Sequence, residues 1–549
     1  MPDRSTHTEQ AVSQELQSDN TGDDGDDESP LKETTESDAG AAGVESVPAD
    51  EREALLTIAH GAVVTSGGIS VQRGLTTATE FVLTRALGPV AYGVYALAWR
   101  IAQILVRLVT FGSVPALQRY VPDAGDDRAR QSRVVGIAYA TTAGVGLAMA
   151  VGIWILAPWI NNATVDQPAF PTTMRLFGVL IVPIGFVMIA AGVFRAVGSA
   201  RGEVLFNKLL RPAVRLVGAL AALAVGYSVV GVAGAILGFM FALAVVGIPV
   251  TIRATEIRPV LRRTPGELRQ FYNYAGPVAM SSFGKIFQNR IDVLLVGALL
   301  TAVATGIYNV VLVLVAIAWI PLQAFNQLLP PVASSLYSNG QIDTLNAIYT
   351  SVTRLILTTV LPILAVLAVF GADLLALFGP TYAAGYVPLV VYLGGVFVGS
   401  AVGATGWLLM MTDHQYARMI LDWLLAVSNV VLTYVFILEF GLVGAALGTS
   451  LAIAAQNAIQ VVLLERFEGL WPFDATFFRP LAAGLVMIGV LVLIRTALSG
   501  PLAIAVGAIV GLCAYIGTLR VLGVDPRDRL VVRELYSQYR ADIVASRSS

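Results

Sequence analysis

Two copies of one apolar pattern, offset by about 210–213 residues, fill this chain from about residue 54 to residue 523. They divide fourteen long apolar stretches almost evenly. A bilayer core of ~30 Å takes ~20 apolar residues per helix, and a spanning segment must satisfy its own backbone hydrogen bonds. A water-soluble fold has no way to hide this much apolar chain. With 56% hydrophobic and 13% charged residues, the composition agrees. The pattern predicts an all-α integral membrane protein of about 14 transmembrane helices.

The periodicity places these helices near 57–87, 90–115, 132–157, 169–197, 205–228, 230–252, 268–299, 302–330, 349–377, 383–410, 415–439, 441–464, 478–497 and 500–522. Arginines then set the orientation, because cytoplasmic loops carry the excess of Lys and Arg. Arg119, Arg128, Arg130 and Arg133 fall in the second connection, Arg195, Arg201, Lys208 and Arg211 in the fourth, and Arg253, Arg258, Arg262, Arg263 and Arg269 in the sixth. The intervening connections hold almost none. Both termini are therefore expected in the cytoplasm, in a multi-pass cell-membrane protein.

Charge is also segregated along the chain. Residues 1–53 carry 16 of the 37 acidic residues and only Arg4, Lys32 and Arg52 as bases. So polar an opening predicts a disordered cytoplasmic tail, either solvated or docking a partner. It has no basic-then-apolar start of the kind that marks a cleaved signal peptide. Lysine is confined to Lys32, Lys208 and Lys285, and scarce lysine beside an acidic segment points to a halophilic archaeon. The single cysteine, Cys513, rules out an intramolecular disulfide. Val532, Leu535, Tyr536, Tyr539 and Ile543 recur at helical spacing near the C-terminus, as in an amphipathic helix lying on the cytoplasmic face.

Two motifs carry the repeat. Gly93-Val94-Tyr95 recurs as Gly306-Ile307-Tyr308, and the glycine-rich run Gly231 to Gly238 recurs as Gly441 to Gly448. Small residues four apart let helices approach closely. Six helices per half is an even number, so both halves enter the membrane in the same direction. They should be related by a pseudo-two-fold along the membrane normal. The expected divisions are the tail 1–53, an N-lobe at 54–255, a C-lobe at 256–467, two further helices within 468–523 and a C-terminal tail at 524–549.

The segment Arg85 to Tyr95, Asp292 with Gly306-Ile307-Tyr308, Leu375 to Tyr382, and Asn429 followed by Gly441 to Gly448 together resemble the multidrug/oligosaccharidyl-lipid/polysaccharide exporter superfamily. Within it, the likeness is to polysaccharide and lipid-linked oligosaccharide flippases. The resemblance implies two six-helix lobes around a central cavity, with two extra C-terminal helices. It also implies movement of an isoprenoid-linked sugar from the cytoplasmic to the outer leaflet. In an archaeon the carrier would be dolichol phosphate or pyrophosphate.

Charged side chains at membrane depth are costly and usually face a cavity or a partner. Arg73, Thr76, Thr77, Glu80 and Thr84 follow one face of the first helix, and Arg100, Gln103 and Arg107 one face of the second. Ser281, Lys285, Gln288 and Asp292 do the same in the seventh, with Asn289 and Arg290 beside them. The resemblance implies that helices 1, 2, 7 and 8 line the cavity. Arg73, Arg100, Lys285 and Arg290 would then hold a phosphate, and Gln103, Gln288 and Asn289 would meet sugar hydroxyls. Pairing of Arg73 with Glu80 and of Lys285 with Asp292 is the competing explanation. Glu80 and Asp292, at corresponding repeat positions, are the candidates for a coupling cation or proton, with Asp422 a further one. Arg85 and Arg107 fall near membrane edges, where they can snorkel. His414 belongs to a cytoplasmic surface.

No phosphate-binding glycine loop, Cys/His cluster or nucleophile constellation is present. ATP hydrolysis, covalent catalysis, a metal, a cofactor and a nucleic-acid partner are therefore not expected. The expected partners are a lipid-linked sugar, membrane lipids and a coupling ion. A cation-coupled drug exporter of the same superfamily is the alternative, and a membrane glycosyltransferase or polymerase a more distant one.

Overall fold

Helix α1 (Ala49–Val109) is 61 residues long and changes direction at Gly88, whose backbone sits at φ 73°, ψ 171°. Only glycine takes that conformation without a Cβ penalty, and Pro89 beside it has no N–H to continue the helical ladder. The result is two helical arms meeting where the sequence separates 57–87 from 90–115. The first arm starts at Ala49, inside the segment expected to be tail. Glu51, buried at its first turn, accepts from Arg527 Nε (2.8 Å) and Nη2 (3.2 Å), and an acid there also suits the helix N-terminus.

The computed structural model of this chain describes residues 48–261, 265–288, 291–531 and 533. After α1 come α2 (Ser113–Asp123), α3 (Arg128–Asn162) and α4 (Phe170–Ala196). A helical turn and a π-helical segment, Ala200–Glu203 and Val204–Leu210, lead into α5 (Arg211–Ala224) and α6 (Val229–Thr255). The second half holds α7 (Pro265–Gln288), α8 (Ile291–Leu299), α9 (Ala302–Ala318), α10 (Ile320–Ser338), α11 (Ile342–Phe378), α12 (Tyr386–Ala401), α13 (Thr405–Met411) and α14 (Gln415–Glu468). It ends with α15 (Phe478–Ala497) and α16 (Gly500–Leu522). Residues 526–531 are helical, whereas the C-terminal apolar positions Val532, Leu535, Tyr536, Tyr539 and Ile543 lie outside the described residues.

Among the described residues, nine helices are long and apolar enough to cross a membrane, or ten when α9 and α10, bent by 49°, form one span. The chain is an all-α, multi-pass membrane protein. Several expected elements are subdivided. The stretch expected at 302–330 bends at Trp319, with Pro321 entering the second helix, and that at 383–410 is interrupted between α12 and α13. Helix α14 breaks at Gly441 (φ 56°, ψ −128°), between the helices expected at 415–439 and 441–464.

Packing follows the chain order. Helix α4 lies between α3 and α6 and also touches α1, while α14 packs on α12 and α8. The two groups meet where α1 runs against α9 and α10. The repeated glycines explain that contact. A Cβ on Gly93 would lie 1.8 Å from the Ala302 carbonyl oxygen, and one on Gly306 would lie 3.4 Å from Gly93 Cα. The two copies of the motif therefore face each other.

The longer glycine motif is used unequally. Gly444 and Gly448 press against the backbone of residues 432–437, but Gly234 and Gly238 have open space where a Cβ would go. Helices α15 and α16 pack on each other and on α11 through Phe370, Met487, Leu491, Ala503 and Tyr515.

An arginine-lined cavity as the candidate functional site

A cavity of about 390 Å³ opens between α1, α4, α5, α6 and α9. Arg73, Thr76, Thr77 and Glu80 line it from the first arm of α1, and Arg100, Gln103 and Arg107 from the second. Arg211 and Arg215 enter from the first turns of α5, and Leu312, Val313 and Ala316 of α9 form an apolar wall. Five arginines thus face one carboxylate among the described lining residues.

Glu80 is committed within this surplus. Arg215 Nη2 donates to its Oε1 at 2.6 Å, and Tyr92 Oη donates to its Oε2 at 2.9 Å. Arg215 Nε also donates to Tyr95 Oη (2.8 Å), and its guanidinium carbon sits 4.1 Å from the Trp99 ring centroid. Its Nε and Nη2 are thus both spent on oxygens, with the guanidinium laid over a π face.

A hydrogen-bonded chain continues from Glu80 into α9. Asn309 Nδ2 donates to Tyr92 Oη at 2.7 Å, and Asn309 Oδ1 accepts from Arg100 Nη2 at 2.8 Å. Arg100 Nη1 in turn donates to Gln103 Oε1 at 3.0 Å. The donor and acceptor assignments are mutually consistent along the whole chain. It positions Arg100 at the edge where α1 meets the second half.

Arg73, Glu80, Arg100 and Gln103 are therefore brought to one cavity. Asp292 is not part of its lining. It is buried at the start of α8, where Tyr308 Oη donates to its Oδ2 at 2.9 Å and the Val293 backbone N–H donates to its Oδ1 at 2.9 Å. Glu80 and Asp292, which correspond in the repeat, thus each accept from a tyrosine of a following helical arm. The side chains of Lys285, Gln288, Asn289 and Arg290 lie outside the described residues.

Glu80 pairs instead with Arg215, across 135 residues, and not as the competing Arg73–Glu80 explanation would have it. Arg215, a charge entering an otherwise apolar stretch, carried a signal in the sequence, but Glu80 as its partner did not. Arg107, expected only at a membrane edge, lines the cavity, whereas Arg85 Nε caps the Leu377 carbonyl at 2.6 Å. Asp422 joins the two arms of α14, accepting from Arg418 Nε (3.0 Å) and Gln456 Nε2 (2.9 Å). His414 is partly covered, with Nε2 3.3 Å from Glu468 and its ring against Phe467.

A family model described as "Polysaccharide biosynthesis protein" matches residues 82–384, more than half of the chain. The chain belongs to that family. This polysaccharide biosynthesis family member is 23% identical over 250 residues to the probable low-salt glycan biosynthesis flippase Agl15 of Haloferax volcanii. The match covers 45% of this chain and 53% of that protein, so the chain spans about half the length of the curated relative it matches.

Solved structures extend the likeness in fold. The lipid II flippase MurJ in an inward closed conformation superposes with TM-score 0.69 at 13% identity, over 84% of this chain and 98% of that one. An inward-facing multidrug resistance MATE family transporter of the MOP superfamily gives 0.63 at 14% identity, over 74% and 98%. The family member therefore has the fold of MOP-superfamily membrane transporters.

Proposed function

We propose that this chain is a flippase that carries a lipid-linked sugar or oligosaccharide, of dolichol phosphate or pyrophosphate type, from the cytoplasmic to the outer leaflet. The cation surplus of the cavity is the observation that carries this reading. Among the described lining residues, Arg73, Arg100, Arg107 and Arg211 outnumber the carboxylates, of which Glu80 is paired with Arg215. Guanidinium groups are suited to phosphate oxygens, and Gln103, Thr76 and Thr77 offer the amide and hydroxyl groups that sugars need. The family match and the flippase names of the relatives in glycan and lipid II handling support it.

In this reading the chain has fourteen spans with both termini cytoplasmic, and two six-helix lobes at 54–255 and 256–467 rock against each other in alternating access. The backbone breaks at Gly88 and Gly441 support dividing α1 and α14 into two spans each. Residues 468–523 are appended at the edge, and 1–53 and 524–549 are the cytoplasmic tails. Lys285 and Arg290 of the seventh helix would add phosphate contacts, and Gln288 and Asn289 sugar contacts. Glu80 and Asp292 are the carboxylates that could take a coupling ion, although Glu80 already neutralises Arg215.

A cation-coupled drug exporter would hold its cargo against this same arginine lining, which repels organic cations. Transport can be tested directly in cells deprived of the protein. Lipid-linked glycan should build up on the cytoplasmic leaflet and regain the outer leaflet when the chain is restored. An unchanged leaflet distribution would overturn the assignment.

A further inference from the structure

A second, larger cavity of about 910 Å³ lies far from the first in the fold, between α11, α15, α16 and the segment after α16, and shares no lining residue with it. Its walls are apolar where Leu355, Pro480, Ile516 and Leu519 face it, and Arg479, Arg520, Arg529 and Arg533 supply positive charge. Among the described residues, its two lining acids, Asp525 and Asp528, converge with the neighbouring Asp474 on Arg354, so five lining arginines face two carboxylates. Arg354 Nε and Nη2 donate to Asp528 at 2.9 and 3.0 Å, Nη2 lies 3.1 Å from Asp525, and Nη1 donates to Asp474 at 3.1 Å. Arg479 Nη1 donates to the Gly523 carbonyl at 2.9 Å, which fixes one arginine at the mouth. Arg520 and Arg529 are exposed and form no ion pair among the described residues.

Charge and polarity are therefore divided within one space. Arg479 begins α15 and Arg520 ends α16, so these cations stand at the same membrane edge, while Ile516 and Leu519 lead from them along α16 toward the bilayer core. An anion alone would leave the apolar walls uncovered, and an apolar chain alone would leave the arginines without a counter-charge. The volume also exceeds what an ion needs. Juxtamembrane arginines attract anionic headgroups, and buried methylene groups add to that attraction.

From this division we infer that the cavity is a binding site for an anionic glycerophospholipid of the adjoining leaflet, its phosphate held by Arg479, Arg520 and Arg529 and an acyl chain laid against Ile516 and Leu519. The bound lipid bridges α11 to the α15–α16 pair, which otherwise leans on the body of the protein through α11. The site stands apart from the transport reading, since none of its residues faces the arginine-lined cavity.

The test uses the full-length protein purified in a neutral detergent, with phosphatidylglycerol, phosphatidylcholine or inorganic phosphate added. Bound lipid is read by native mass spectrometry and stability by thermal unfolding. Phosphatidylglycerol should bind and raise the unfolding temperature, whereas phosphatidylcholine and phosphate should not. The double variant Arg520→Gln/Arg529→Gln should weaken phosphatidylglycerol binding about ten- to a hundredfold, while the control pair Arg253→Gln/Arg466→Gln, also exposed, leaves it unchanged. Equal effects of the two lipids, equal protection by phosphate alone, or equal losses in the two double variants would each overturn the inference. Because all four arginines are exposed, unfolding of the lipid-free variants at the wild-type temperature verifies that the fold is retained.

Discussion

Arg215 and Glu80 form an ion pair of 2.6 Å in which each side chain is only 4% exposed, on helices separated by 135 residues in sequence. The pair lies at the wall of a cavity rich in arginine, so it fixes one cation and sets the others apart from it. Breaking a buried pair strands a charge, at a cost of about 3–5 kcal/mol. Glu80→Gln and Arg215→Met should each lower thermal stability and abundance by that order. Glu80→Gln combined with Arg215→Met should lose less than the sum, because no unpaired charge remains. Additive losses in the double-mutant cycle would show that the two residues do not act as a pair.

Close approach of α1 to α9 depends on a missing side chain. A Cβ at Gly93 would overlap the Ala302 carbonyl, whereas positions 234 and 238 have no atom within 4 Å. Gly93→Ala should therefore cost about 1–3 kcal/mol through overpacking. Gly234→Ala and Gly238→Ala should be neutral or stabilising by about 0.5–1 kcal/mol, from reduced chain entropy. Thermal unfolding of the three variants checks the ordering. Wild-type stability of Gly93→Ala would mean that the α1–α9 contact yields.

These two results mark what the sequence could and could not convey. Breaks at Gly88-Pro89 and Gly441 were legible because glycine and proline act on the local backbone, and so was the overall all-α membrane class. The spacing that sets Arg73, Arg100 and Gln103 on helix faces lining one cavity was legible as well. Arg215 as partner of Glu80 was not, since a contact between distant helices has no local signature. Nor was the bend between α9 and α10, nor the unequal use of the two glycine-rich motifs, which depends on the neighbour each one meets. The early start of α1 escaped detection for the same reason, as Glu51 is held by Arg527 from the far end of the chain.

Orientation can be read by accessibility. Asn162-Ala163-Thr164 ends α3, and Ala163 is exposed, while Gly125 lies in the turn before that helix at its opposite end. Cys513 is the natural thiol and is exposed, so the experiment starts from Cys513→Ser. With cytoplasmic termini, Ala163→Cys should react with an impermeant maleimide from outside intact cells. Gly125→Cys should react only in inverted vesicles. The reverse pattern would turn the whole topology over.

The proposed transport mechanism rests on the remaining cavity charge. Arg73, Arg100 and Arg107 line the space without belonging to the Glu80–Arg215 pair, and Arg100 is held in place by Asn309 and Gln103. If they grip a phosphate, Arg73→Gln, Arg100→Gln and Arg107→Gln should each reduce glycolipid flipping while leaving abundance close to wild type. Lys285→Gln and Arg290→Gln should behave alike if the seventh helix contributes. A charged hydrogen bond lost from substrate is worth about 1.5–3 kcal/mol, or roughly ten- to a hundredfold in affinity. Glu80→Gln provides the contrast, since its loss should act first on stability. Flipping is measured as the outer-leaflet fraction of lipid-linked glycan, normalised to protein in the membrane. Unchanged flipping in these five variants and in Arg211→Gln would refute recognition by cavity cations, because the remaining described cation of that space, Arg215, is committed to Glu80.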